Sequence, residues 1–164
     1  MKRIISIALA AVMLACCLAG CGAKRDPKYV GKWEAKYMTI DGTKYEDMLG
    51  LPISALFRFE IQQDGKVYWR SPIDDKIIQN ANENNEITWK QKKKEDDIII
   101  LTVKDLKSKE DPRTMEMKYV NGSLVIDSDG TTVDLEKVDE FTEIDPQDLS
   151  AAAGVIQNFG VLGS

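Results

Sequence analysis

Few side chains in this chain could do covalent chemistry, and their positions matter more than their number. Cysteine occurs only at Cys16, Cys17 and Cys21, and histidine does not occur at all. Histidine is the commonest general base and transition-metal ligand, so its absence removes most hydrolytic triads and most zinc or copper sites. Serine, lysine and aspartate are present, but no G-x-S-x-G or S-x-x-K arrangement is. A serine without an adjacent base is a weak nucleophile. Asp127-Ser128-Asp129-Gly130 has its glycine fourth and no glutamate at the twelfth position, so it reads as a turn rather than a calcium loop. These residues point to a protein with no catalytic residues, no metal site and no cofactor.

The remaining reactive group is the Cys21 thiol. Lys2 and Arg3 precede an apolar run over Ile4–Leu14, and Leu18-Ala19-Gly20 lead into Cys21. A cationic start, a short apolar stretch and small residues before a cleavage point make an export leader. The aliphatic residue, two small residues and cysteine resemble the lipobox of bacterial lipoproteins. That resemblance implies cleavage before Cys21, a diacylglyceryl thioether on its sulfur and acyl chains such as palmitate. It places the protein at the cell membrane, lipid-anchored on the extracytoplasmic face. Two chains hold a protein stably where one does not. The apolar run is too short to span a bilayer, and no later stretch approaches about 18 consecutive apolar residues.

Removing residues 1–20 leaves 144 of 164, takes away Lys2 and Arg3 with no acid, and moves the formal charge from −5 to −7. That length suits one domain. The acidity argues against nucleic acid as a partner, since little is left to neutralise phosphate at scale. No cysteine lies beyond Cys21, so the folded part must be held by packing alone. Gly22–Lys28 is polar and without period. The expected organisation is a leader over 1–20, a lipid-anchored tether over 21–29, a domain over 30–139, and a tail or short helix over 140–164.

Within the domain the period is two. Trp33, Ala35 and Tyr37 alternate with Glu34, Lys36 and Met38. Phe57, Phe59 and Ile61 alternate with Arg58, Glu60 and Gln62. Val67 shares a face with Trp69, and Ile87 with Trp89. Ile98–Val103 is a β-branched run that suits a well-buried strand. Met115, Met117 and Tyr119 alternate with charged residues, and Leu124, Ile126, Val133 and Leu135 continue the pattern. Asp64-Gly65, Asn121-Gly122 and Asp129-Gly130 supply the positive φ that tight hairpins need. Lys92-Lys93-Lys94-Glu95-Asp96-Asp97 reads as a solvated hairpin loop. Three short segments carry further expectations. Gly42–Pro52 has Tyr45, Met48, Leu49 and Leu51 at helical spacing, giving a short helix or an ordered lid. Ile77 and Ile78 suggest a short strand, with a turn over Asn82–Asn85. Asp145-Pro146 resembles a helix start, with helix over Leu149–Phe159. The pattern predicts an all-β protein of eight or nine short antiparallel strands, which a sandwich and a closed barrel both satisfy.

Tyr29-Val30-Gly31-Lys32-Trp33 resembles the G-x-W opening of lipocalin-like barrels. The following order is similar to the lipocalin-like domains of many Gram-positive lipoproteins: Asp41-Gly42-x-x-Tyr45, an apolar segment, Phe57-x-Phe59 with Asp64-Gly65, then regular hairpins. The likeness covers about Tyr29 to Val138. It implies an antiparallel up-and-down β-barrel of about eight strands, with Trp33 plugging the closed end. No arginine follows Arg113, so the cation that packs over that tryptophan falls to Lys118 or Lys137. The resemblance implies, loosely, small-molecule binding. The candidate pocket is Trp69, Trp89, Phe57, Phe59, Met117 and Tyr119, flat and apolar side chains that serve equally as a solid core. Two functions stay open: non-catalytic binding of a small apolar or amphipathic ligand, or docking of another envelope protein by a barrel with a filled interior.

Overall fold

A computed structural model describes residues 25–48, 50–72, 75–145 and 149. A 3-10 turn over Pro27–Tyr29 opens the domain, its first N–H taken by the Asp26 carboxylate at 2.9 Å. The strands are β1 (Gly31–Ile40), β2 (Thr43–Tyr45), β3 (Asp47–Met48), β4 (Leu51–Pro52), β5 (Arg58–Ile61) and β6 (Val67–Trp69). They continue as β7 (Asn85–Lys92), β8 (Glu95–Asp105), β9 (Arg113–Val120), β10 (Ser123–Ser128) and β11 (Thr131–Val138). Two helices interrupt them, α1 (Ile53–Leu56) and α2 (Asp75–Asn84).

Eight strands form one antiparallel sheet in the order β6-β5-β1-β11-β10-β9-β8-β7, with β2 added to β1. The ends of that row meet. Lys66 pairs with Thr88, and the Trp89 N–H donates to Gly65 O at 2.9 Å. The result is a nearly closed antiparallel barrel, one of the two architectures that the period-two pattern and regular turns allowed.

Turn chemistry sets the connections. Asp41-Gly42, Asn121-Gly122 and Asp129-Gly130 are two-residue hairpin loops with positive φ at both positions. This geometry matches the right-handed twist of the flanking strands. Lys93-Lys94 turns β7 into β8, as the charge run suggested.

Five local expectations are corrected. The described residues of Gly42–Pro52 hold no helix. Thr43–Tyr45 extends the hairpin from β1, β3 pairs with β4, and the helix is a single turn after Pro52. Ile77 and Ile78 lie in α2, and the expected turn at Asn82–Asn85 is the end of that helix and the start of β7. A short apolar run does not tell helix from strand by period alone. The phase of β1 also changes. A bulge between Ala35 and Tyr37 makes Lys36 an extra residue. Trp33 and Ala35 point inward, then Met38 does, while the Tyr37 ring turns out beneath the Lys44 ammonium at 4.3 Å. In β8 only one face is fully buried, at Ile99 and Leu101.

Arg25–Tyr29, expected within a polar tether, are packed onto the barrel. Tyr29 is fully buried, and the Arg25 Nε donates to Trp89 O at 3.4 Å. At the other end of the domain the Leu149 N–H donates to Asp145 O at 3.2 Å. The leader, Cys21 and the rest of the expected C-terminal helix lie outside the described residues.

Candidate functional site

At the end of the barrel where β1 begins, Tyr29 meets Trp89 and Tyr119 edge-on, with ring centroids 5.8 and 5.6 Å away, and Trp33 meets Tyr119 at 6.4 Å. Each buried indole finds an acceptor: Trp33 Nε1 donates to Tyr29 O at 2.8 Å, and Trp89 Nε1 to Gln62 O at 2.7 Å. The Tyr29 hydroxyl donates to Asp96 O, and burial pushes that phenol upward. Lys137, one of the two cations considered for Trp33, has its ammonium 5.7 Å from that ring. Lys118 is exposed on the other face of its strand.

The candidate pocket residues divide. Trp89 and Met117 lie inside the packed core, with Phe57, Phe59 and Tyr119 half-buried against it. Trp69 is half-buried opposite Phe59 on the neighbouring strand, its indole N–H donating to Leu56 O at 3.0 Å. Trp33, Trp89, Ile99, Leu101, Met117, Leu124 and Leu135 are each at most 1% exposed in one continuous cluster. Side chains therefore fill the middle of the barrel.

Open space lies at the seam. Beyond Lys66 and Thr88, β6 and β7 separate, and α2 crosses the gap. A cleft of about 270 Å³ forms there. Val67, Ile87 and Leu106 give it apolar wall, Tyr68 an aromatic ring, Asn82 and Asn85 amides, and Lys66 and Glu86 opposite charges. A second cleft of about 420 Å³ shares Tyr68 and Asn82 and runs on past Arg70, Ile78 and Gln79. Sequence reasoning gave Val67 and Ile87 as inward neighbours of the tryptophans, and nothing in it joined them to Leu106. Leu106 is brought there by its N–H, which donates to Asn84 O at 2.8 Å, and remains 55% exposed. A smaller cleft of about 170 Å³ beside Asp105, Glu110, Asp111 and Arg113 is polar. No cluster among the described residues has the composition of a metal site.

A buried ion pair escaped sequence reasoning altogether. Glu34 and Arg58 oppose each other on the outer face of β1 and β5, yet both are 4% exposed. Residues 139–142 cover them. The Thr142 N–H and hydroxyl donate to the two Glu34 oxygens, at 3.0 and 2.5 Å. Arg58 donates to Thr142 O and, at 2.6 Å, to Ser54 O, and its guanidinium lies 5.5 Å from the Phe141 ring. Burial lowers the Arg58 pKa, and the facing Glu34 charge works against that shift. Both Glu34 oxygens and two of the Arg58 nitrogens are taken by the fold, so the pair works as a latch rather than a reactive centre. Alternation had put Arg58 in solvent. No local signal marks a residue covered by a segment 84 positions away.

No family model matches the chain, and neither a curated protein nor a solved structure matches it.

Proposed function

We propose that this chain is a lipid-anchored, non-catalytic binding module of the cell envelope. Cys21 holds it on the extracytoplasmic side of the membrane, and a small apolar or amphipathic ligand lies in the cleft between β6, β7 and α2. The observation that carries this reading is the seam itself: a barrel with one gap, where inward-facing Val67 and Ile87 meet exposed Leu106 beside a few polar groups. Mostly apolar concavities with sparse, convergent polar groups are the usual form of small-molecule sites. The filled core limits a ligand to this mouth, and Trp89 and Met117 belong to that core rather than to the cleft lining. The lack of histidine, and of any thiol after Cys21, supports binding over catalysis.

Phenylnaphthylamine, a neutral apolar fluorophore, tests the reading. The protein is expected to give a saturable fluorescence rise. Leu106→Trp, which fills the cleft from an exposed position, is expected to weaken it several-fold without changing the unfolding midpoint. An unsaturable signal, or one that Leu106→Trp leaves unchanged, overturns it. The packed interior supports a second reading in that event: a solid barrel whose outer surface docks another envelope protein.

A further inference from the structure

The groove beside β6 is longer than the seam cleft alone. The alternation that turns Val67 inward turns Tyr68 and Arg70 outward, and α2 runs beside them. The clefts of about 270 and 420 Å³ share Tyr68 and Asn82, so they meet at that ring and that amide. Their chemistry differs. The first has the apolar wall of Val67, Ile87 and Leu106. The second has buried Ile78 and, around it, Arg70, Gln79 and Glu83. An amphipathic ligand laid along the groove thus has its chain in the first and its head in the second.

Charge does not select the head. Lys66 and Arg70 face Glu83 and Glu86, so the charges lining the two clefts sum to zero. An anion would have to draw Arg70 from the Glu60 carboxylate, which holds it at 2.8 Å. A cation seeking the Tyr68 ring would meet the Arg70 guanidinium, already 4.9 Å from the ring centroid. The other polar groups are mostly planar amides. Gln79 Nε2 donates to Glu83 Oε1 at 2.8 Å, Asn82 Nδ2 to Trp69 O, and Asn85 Nδ2 to Ala81 O at 2.9 Å. An amide has two donor hydrogens and two acceptor lone pairs, more than these bonds use. A rim that both donates and accepts, beside an aromatic ring, complements hydroxyls on a ring with apolar C–H faces.

We propose that the ligand is an amphiphile with an uncharged sugar head: a saccharide ring against Tyr68, Gln79, Asn82 and Glu83, and an alkyl or acyl chain against the apolar wall. It rests on the reading that the seam cleft binds an apolar ligand. A hydroxyl gives up less hydration than an ion does on entering a groove, and the amides replace what it loses. The neutral head is therefore the one this lining accepts at least cost.

The test displaces phenylnaphthylamine from residues 21–164, which hold every described residue, with Cys21→Ser so that no lipid of its own competes. Four competitors share one chain and differ in head: octyl glucoside, octyl sulfate, octyltrimethylammonium and octanol, each below its micelle-forming concentration. The glucoside is expected to displace the fluorophore at a several-fold lower concentration than the other three. Gln79→Ala with Glu83→Ala, both exposed on α2, is expected to remove that advantage and leave displacement by octanol unchanged. Saturable fluorophore binding in which the glucoside does not lead overturns the proposal alone, as does an advantage that the double variant keeps. Absence of saturable fluorophore binding overturns the cleft reading and the proposal together.

Discussion

Asn82 and Trp69 exchange two hydrogen bonds: the Asn82 amide donates to Trp69 O at 2.9 Å, and the Trp69 N–H donates to Asn82 Oδ1 at 3.2 Å. A side chain on α2 thereby takes the place of a neighbouring strand. The outer edge of β6 would pair with β7 in a fully closed barrel. Here it is satisfied by one amide, and the space released is the seam cleft.

Asn82→Ala leaves a backbone donor and acceptor without partners and is expected to cost about 1–3 kcal/mol. Asn82→Asp keeps the acceptor but cannot donate at neutral pH, so its cost should be smaller. Guanidinium unfolding midpoints measure both. An alanine variant with the parental midpoint would show that water replaces the amide at no cost.

Arg58→Met leaves the Glu34 carboxylate buried without its counter-charge and is expected to cost about 3–5 kcal/mol. Replacing both, as Glu34→Leu with Arg58→Met, removes the uncompensated charge and should recover much of the loss. The same unfolding measurement decides it. Two single costs that simply add in the double variant would argue against a coupled pair.

Gly31 has φ of 137°, and a Cβ there would fall 2.7 Å from Lys137 Cε. The lysine end can move aside, whereas the backbone angle cannot be relieved without shifting the entry to β1. Gly31→Ala is therefore expected to cost about 1–3 kcal/mol through strain, and Lys137→Ala should not rescue it. Full rescue in the double variant would assign the cost to the lysine contact instead.

Cys21→Ser has no thiol to form a thioether, so it should leave the membrane fraction and take up no fatty-acid analogue during growth. Equal labelling of the serine form and the parent would end the lipoprotein reading.

Much of the barrel was legible because its causes are local. Asn-Gly and Asp-Gly dipeptides favour positive φ, and those at Asp41, Asn121 and Asp129 make two-residue hairpins here, whereas at Asp64-Gly65 only the glycine takes it, in a longer loop. Alternation along β7, β9 and β11 gave the inward residues, since side chains on a strand must point to opposite faces. Trp33 and Trp89 were legible as buried, though as core rather than as cavity wall.

The rest depended on contacts that no local pattern encodes. The bulge at Lys36 shifts the alternation because β1 must match β11 on one side while turning with the barrel. Arg58 is buried because Thr142 returns across it, and Ile77 and Ile78 are helical because α2 crosses the β6–β7 gap. The sequence by itself determined most of the strands and turns. Only the tertiary structure decided where the barrel stays open, because that depends on which edges find partners, and at the seam β6 finds an amide instead of a strand.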